Sequence, residues 1–97
     1  MEWSKSAEEI ENLVRAMNPW PVAQCDFRGA PLKIWRAQME AGAGQAGTIL
    51  DVDKYGLSIA TGKGAVKTTE VQAAGKPRMN AGDWARGARL AVGDLMQ

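Results

Sequence analysis

The strongest constraint in this sequence is a helix that must begin and end at fixed points. Ser6 and Glu9 form the capping-box pattern, in which a hydroxyl and a carboxylate each satisfy a free backbone N–H at a helix start. An apolar stripe follows with helical spacing, made of Ile10, Leu13, Val14 and Met17. The run 18–21, Asn-Pro-Trp-Pro, must then end the helix, because proline excludes the α conformation from the residue before it. The sequence therefore predicts an N-terminal helix followed by a rigid corner.

The corner fixes the direction of Trp20. We expect this ring to fill one end of the core, because a large aromatic side chain beside an apolar stripe usually buries its area. On this interpretation Trp20→Ala would lower the free energy of unfolding by about 3 to 5 kcal/mol. The alternative is that the ring stacks on a nucleotide base.

After the corner the pattern changes to short β-like runs broken by turns. Five strands are predicted, at residues 22–27, 32–39, 48–52, 57–61 and 65–73. The 62–64 segment, Gly-Lys-Gly, lacks the rest of a phosphate-loop motif and is interpreted as a hairpin turn with a basic tip. This spacing of strands fits a small barrel or sandwich.

Two strands show an irregular alternation of apolar residues. Leu32 and Ile34 alternate correctly, but Arg36 then falls on the apolar side, which predicts a bulge near Trp35. Val66 and Val71 cannot share one face of a regular strand, so the last strand should bend as well. Curvature of this kind is what closing a small barrel requires.

A second helix is predicted near the C-terminus. Asn80 followed by Asp83 repeats the pattern of a cap and an acidic first turn, and Trp84 begins a small apolar face. Gly93 is the predicted stop of this helix.

Composition limits the possible functions. The chain of 97 residues suits one domain over 1–97, and it has no apolar run long enough for a membrane span. The start carries no signal or transit pattern, so a cytoplasmic setting is expected. Cys25 is interpreted as a buried structural thiol. Because the chain contains no histidine, we expect neither a Cys/His metal site nor catalysis by this chain alone.

The charge is unevenly distributed although the net charge is only +1. Residues 1–26 have a balance of −3, whereas residues 27–97 have a balance of +4. Within 54–89 the balance is +5. This segregation is compatible with a basic surface that binds nucleic acid.

Several short segments, in order, resemble the C-terminal domain family of methionyl-tRNA formyltransferases. They are Trp3-Ser4-Lys5-Ser6-Ala7, Arg15-Ala16-Met17-Asn18-Pro19-Trp20-Pro21, Pro31-Leu32-Lys33-Ile34-Trp35, Gly47-Thr48-Ile49, Gly56-Leu57-Ser58-Ile59-Ala60-Thr61-Gly62-Lys63-Gly64 and Gln72-Ala73-Ala74-Gly75-Lys76. The resemblance covers nearly the whole chain. It implies a mainly β fold with flanking helices: a small five-stranded barrel like that of oligonucleotide-binding (OB) domains, with an N-terminal helix and a short C-terminal helix.

The resemblance also implies a division of labour. In that family an N-terminal catalytic domain binds 10-formyltetrahydrofolate and formylates the amino group of methionyl-tRNA in translation initiation. That domain is absent here, so the implied role is accessory tRNA binding, with no cofactor or metal in this chain. The implied partners are the tRNA phosphate backbone and the catalytic domain.

Cationic side chains are the candidates for RNA contact, because lysine and arginine on turns and edges bind phosphates without reading sequence. The candidates are Lys33, Lys63, Lys76, Arg78, Arg36, Lys67 and Arg86. Their alternative role is a solvated surface that protects strand edges. Trp35 lies among them, and we favour its burial over stacking on a base. We expect Lys5 and Arg15, on the acidic helix, to matter much less.

Two other functions stay open from the sequence. Related sugar formyltransferases and formyltetrahydrofolate dehydrogenases carry a similar C-terminal module that need not bind RNA. A protein-interaction module is the third possibility, favoured by the low net charge and by exposed strand edges.

Overall fold

The computed structural model describes residues 1–96 and consists of one antiparallel sheet with two helices. The helices are α1 (Ala7–Ala16) and α2 (Ala81–Gly87). The strands are β1 (Ala23–Phe27), β2 (Ala30–Glu40), β3 (Ile49–Val52), β4 (Leu57–Ala60), β5 (Ala65–Ala73) and β6 (Met79–Asn80). Neither described helix has the length and apolar character needed to cross a membrane.

The sheet has the strand order β1-β2-β5-β4-β3, and the short β6 pairs with β5. The mainly β class with flanking helices is confirmed, and β6 is a strand that the sequence did not predict. Among the described residues no ladder joins β1 to β3. Closure of the sheet into a barrel therefore stays a prediction.

Helix α1 begins as predicted. The Ser6 hydroxyl accepts a hydrogen bond from the Glu9 backbone N–H at 3.2 Å, and the Ser6 N–H donates to the Glu9 carboxylate at 3.2 Å. Ile10 and Val14 are buried against the sheet. The helix ends at Ala16, before the first proline, so its apolar face and its bounds follow directly from the sequence pattern.

The predicted burial of Trp20 is wrong, because this side chain is 82% exposed. The Val22 N–H donates to the Met17 carbonyl at 2.8 Å, which folds the corner back on itself. Val22, two residues later, is buried at 4% exposure. The turn therefore directs the larger ring into solvent.

The core lies between α1, α2 and the inner face of the sheet. Its largest fully buried side chains are Ile10, Leu32, Ile34, Ile49, Leu57, Ile59, Val66 and Val71. Cys25 is buried among them, and burial raises the pKa of its thiol to about 12. The interpretation of Cys25 as a structural thiol is thus confirmed, since a protonated buried thiol is unreactive.

Both predicted irregularities lie in the β2–β5 ladder. The register shifts between Ile34 and Arg36 and again between Arg36 and Ala37. Val66 and Val71 are both fully buried, as the shift in register allows. The predicted bulge and the predicted bend are confirmed.

The segment before α1 crosses the β4–β5 turn in direct backbone contact. The Gly62 N–H donates to the carbonyl oxygens of Trp3 at 2.9 Å and Lys5 at 3.0 Å. A Cβ atom at position 62 would lie 1.8 Å from the Ser4 carbonyl oxygen. Only glycine therefore allows the two segments to approach this closely.

Helix α2 is capped as predicted but ends earlier. The Asp83 N–H donates to the Asn80 side chain at 3.0 Å. The helix ends at Gly87, because Arg89 adopts a left-handed φ of 59° and the Leu90 N–H donates to Ala85 O. This is the hydrogen-bond pattern of a Schellman motif, so the predicted stop at Gly93 is wrong.

Trp20→Ala should change the free energy of unfolding by less than about 0.5 kcal/mol, because the exposed ring loses little contact. The matched variant Trp84→Ala should lower it by about 3 to 5 kcal/mol, since Trp84 is 9% exposed and packs edge-on against Phe27 at 4.9 Å. Urea denaturation measures both. Equal losses would contradict the placement of Trp20.

Gly62→Ala should lower the free energy of unfolding by more than about 2 kcal/mol, because the added methyl group displaces the N-terminal segment. Gly87→Ala is the control, since no atom of the described residues lies within 4 Å of its Cβ position. That change should be neutral or stabilising by up to about 1 kcal/mol. Thermal denaturation of both variants decides whether the crossing at Gly62 holds the fold together.

Candidate nucleic-acid interface

Helix α1 covers part of the free edge of β2. Strand β1 pairs only with the first half of β2, up to Ile34, whereas β5 pairs with β2 as far as Glu40. Beyond β1, the Asn18 side chain donates to the Trp35 carbonyl at 2.9 Å, and the Met39 N–H donates to the Glu11 carboxylate at 2.8 Å. These two contacts hold the helix against the strand at both ends of the free edge.

The bulge at Trp35 creates an outward-facing cluster of aromatic and cationic groups. The Trp35 ring is half-buried, and its Nε1–H donates to the Gln72 side chain at 3.0 Å. The Arg78 guanidinium lies 3.8 Å from the centroid of the same ring, a cation–π contact. The Trp35 ring is therefore half-buried and held by two polar side chains. This corrects the expectation that the ring is buried in the core.

One carboxylate serves two guanidinium groups in this cluster. The Glu70 Oε1 atom lies 2.5 Å from Arg78 Nη2 and 3.7 Å from Arg36 Nε. The three side chains together keep one positive charge. Both arginines stay largely in contact with solvent, so an external anion can reach them.

A cleft of about 530 Å³ lies between the C-terminal end of α1 and the outer face of β2 and β5. It is lined by Val14, Arg15, Asn18, Trp35, Arg36, Ala37, Gln38, Thr69 and Arg78. We call it the arginine cleft, after Arg15, Arg36 and Arg78. Its described lining contains three guanidinium groups and no carboxylate.

The structure brings four of the seven candidate cations to one side of the sheet. Lys33 pairs in register with Gln72 and lines a smaller hollow of about 130 Å³ beside it. The Gln72 side chain donates to the backbone carbonyl of Lys76 at 2.9 Å. Lys33 and Lys76 are therefore neighbours of the Trp35 cluster, which contains Arg36 and Arg78.

Lys63 lies in a different place. Its carbonyl oxygen accepts a hydrogen bond from the Ala7 N–H at 2.9 Å, at the start of α1. It lines a hollow with Glu8 and Glu40 that shares no described residue with the arginine cleft. Lys63 is exposed and lines this hollow together with two acidic residues.

Lys67 and Arg86 are each paired with a carboxylate. Lys67 Nζ lies 2.7 Å from the Asp53 carboxylate, which also accepts the backbone N–H groups of Tyr55 and Gly56. The hydrogen bond to Asp53 raises the pKa of Lys67, and the same bond lowers the pKa of Asp53. Arg86 pairs with Asp83 one turn away on α2.

Sequence reasoning missed Arg15 as a part of the site. It was expected to matter little because it lies on the acidic helix, yet it lines the arginine cleft beside Asn18. Its guanidinium also lies 3.2 Å from Glu11, within the same helix. The available signal was its position in the last turn of α1, next to Val14 on the buried stripe.

The chain is similar to known proteins over nearly its whole length. The model of a family described as "Formyl transferase, C-terminal domain" matches residues 1–89. The methionyl-tRNA formyltransferase of Dechloromonas aromatica (strain RCB) is 48% identical over 94 residues, covering 97% of this chain and 31% of that protein. That of Bacillus subtilis (strain 168) is 41% identical over 99 residues, covering 99% and 31%. The chain therefore spans only 31% of the length of these relatives.

Solved structures share the same fold. A multiply substituted variant of HypX from Aquifex aeolicus superposes with a TM-score of 0.81 at 18% identity, covering 97% of this chain and 17% of that one. The structure of HypX in complex with tetrahydrofolic acid gives a TM-score of 0.75 at 18% identity, with coverages of 100% and 20%. At this identity the likeness shows the fold alone.

The Asp53–Lys67 pair predicts a specific pH dependence of stability. A carboxyl group with a lowered folded-state pKa stabilises the fold fully above its unfolded pKa of about 3.9, and this contribution is lost as the pH falls through the folded-state pKa. The raised pKa of Lys67 acts in the opposite sense, so its contribution is complete below about pH 10.4 and is lost as the pH rises through its folded-state pKa.

Asp53→Asn should therefore lower the urea midpoint at pH 7 and flatten its decline in acid. The control is Asp26→Asn, which removes the same charge from an exposed position on β1. Urea denaturation between pH 2 and 7 measures both variants. An acid decline that Asp53→Asn leaves unchanged would contradict the structural role of this pair.

Proposed function

The chain belongs to the formyl transferase C-terminal domain family, and on this premise we propose that it is the accessory tRNA-binding domain of a methionyl-tRNA formyltransferase. The observation that carries the proposal is the grouping of Lys33, Arg36, Lys76 and Arg78 on one side of the sheet, around Gln72 and Trp35. The names of its curated relatives support a tRNA substrate for the whole protein.

The proposed binding mode is electrostatic. Cations on one face of a sheet can follow the phosphate backbone of a folded RNA and release its condensed counterions, which gives affinity with little sequence preference. Lys33 and Lys76 contribute point charges, while Arg36 and Arg78 offer planar groups for bidentate phosphate contacts. Lys63 would form a separate contact at the start of α1. Lys67 and Arg86 would contribute less, because each is paired with a carboxylate of its own, whereas Arg36 and Arg78 share one carboxylate and keep a net positive charge.

The formyl transfer itself is assigned to the rest of the protein. General acid–base catalysis at neutral pH most often uses histidine, and this chain has none. We propose that a catalytic domain binds 10-formyltetrahydrofolate and the aminoacylated end of the tRNA, in the cytoplasm. This chain would hold the body of the tRNA so that its end reaches that domain.

The tRNA-binding role predicts a strong dependence on salt and on charge. The double variant Lys33→Glu/Lys76→Glu should weaken tRNA binding by at least about tenfold at low salt. It should also reduce the slope of log K against log salt by about 2, because two phosphate contacts are lost. Fluorescence anisotropy with labelled tRNA at several salt concentrations measures both quantities.

The control is Lys5→Glu/Lys54→Glu, which changes the same charge at two other exposed positions. It should weaken binding much less and leave the slope nearly unchanged. Equal losses in the two double variants would contradict the proposed face. No tRNA binding to the parent chain at low salt would contradict the role itself and would favour a sugar or folate formyltransferase module or a protein-interaction module.

A further inference from the structure

The arginine cleft has the size and the chemistry of a site for one nucleotide. Its volume of about 530 Å³ lies within the usual range for small-ligand sites, roughly 300–1,000 Å³. Guanidinium groups approach it from two elements, Arg15 from α1 and Arg36 from β2, while Arg78 precedes β6. Three arginines that line one cleft suit a phosphate, which guanidinium groups bind through paired N–H donors.

The uncharged part of the lining suits a sugar and a base better than a bare anion. Asn18, Gln38 and Thr69, which have hydrogen-bonding side chains, line the cleft, and Trp35 adds an aromatic residue. The Ala37 backbone adds a further donor. Backbone N–H groups two residues apart on a strand point to the same side. The Ala37 N–H therefore points to the same side as the Met39 N–H, which faces α1.

Glu70 occupies the position of a competing anion. Its carboxylate contacts Arg78 and Arg36 together, yet it is not part of the cleft lining. A phosphate on these two guanidinium groups must share them with this carboxylate or displace it. The Glu70 carboxylate therefore weakens the binding of an external anion to Arg36 and Arg78, as Glu11 does at Arg15.

We infer that the arginine cleft binds a single nucleotide unit, with its phosphate on Arg15, Arg36 and Arg78 in competition with the Glu70 carboxylate. This proposal rests on the proposed tRNA role in one respect: the nucleotide that occupies the cleft is taken to be a residue of the bound RNA. A free nucleoside monophosphate has the same chemistry and is the other source that the test distinguishes.

The test uses the indole N–H signals in ¹⁵N-correlated NMR spectra during titration with 5′-AMP, inorganic phosphate or tRNA. The Trp35 indole signal, identified with Trp35→Phe, should shift with 5′-AMP, because its Nε1–H is held by Gln72 next to Arg78. The indole signal of the exposed Trp20 is the internal reference. An unmoved Trp35 signal at saturating 5′-AMP overturns the proposal.

Charge variants test the competition. Glu70→Gln should raise the affinity for 5′-AMP by about three- to tenfold, because two guanidinium groups lose their shared carboxylate partner. Glu8→Gln removes the same charge from an exposed position on α1 and should change the affinity less than about twofold. Equal effects of these two variants overturn the role of Glu70.

Arg15 is tested by a pair of variants. Arg15→Gln should lower the affinity for 5′-AMP by about three- to tenfold, and Arg15→Lys should restore part of that loss because it keeps the charge. Spectral dispersion verifies that each variant is folded. An unchanged affinity in Arg15→Gln overturns the assignment of Arg15 to the site.

The probes separate this proposal from the proposed function. Inorganic phosphate that binds as tightly as 5′-AMP would overturn the nucleotide assignment and leave an anion site. Strong tRNA binding without any response to Glu70→Gln would overturn the cleft and leave the tRNA role intact. Binding of 5′-AMP without binding of tRNA would support the cleft and contradict the tRNA role.

Discussion

The pairing of β2 with β5 is the contact on which both the core and the candidate site depend. It is the longest ladder of the sheet, and it joins the β1 side to the β4–β3 side. A regular alternation would send Arg36 to the buried face once Ile34 faces inward. The bulge at Trp35 removes that conflict, since it keeps Ile34 and Val71 buried while Arg36 stays in solvent. One local distortion therefore satisfies the core and creates the outward-facing cluster.

Helix α1 completes the arrangement by covering an edge that β1 leaves open. An exposed strand edge invites pairing with another chain, so a covering element protects the fold. Glu11 of the helix and Asn18, just after its end, contact β2, and the cleft lies beside these contacts. The segment before the helix is held by the backbone hydrogen bonds of Gly62, which fix the start of the helix. The contacts of Asn18 and Glu11 with β2 and the crossing at Gly62 therefore set the position of the helix beside the cleft.

Much of the fold was predictable from the sequence because its signals are local. The capping box of α1, the cap of α2 and the bulge at Trp35 each depend on residues a few positions apart, and all three are present. The direction of Trp20 was not predictable, since the burial of a corner residue depends on how the chain folds back after it. The end of α2 was missed because Arg89, and not a glycine, adopts the left-handed conformation.

The candidate site was less predictable than the fold, because charge pairing joins residues far apart in the sequence. Lys67 and Asp53 meet across two strands, and Asp53 also holds the backbone N–H groups of its own turn. Lys67 is therefore paired with a carboxylate whose other oxygen holds a structural turn. Glu70 accepts only side-chain donors in the described contacts, and exposed ion pairs contribute about 0–1 kcal/mol to stability. Arg36 and Arg78 can thus exchange Glu70 for a phosphate with little loss of stability. Lys67 stabilises the structure through its ion pair, whereas these two arginines are available to a ligand.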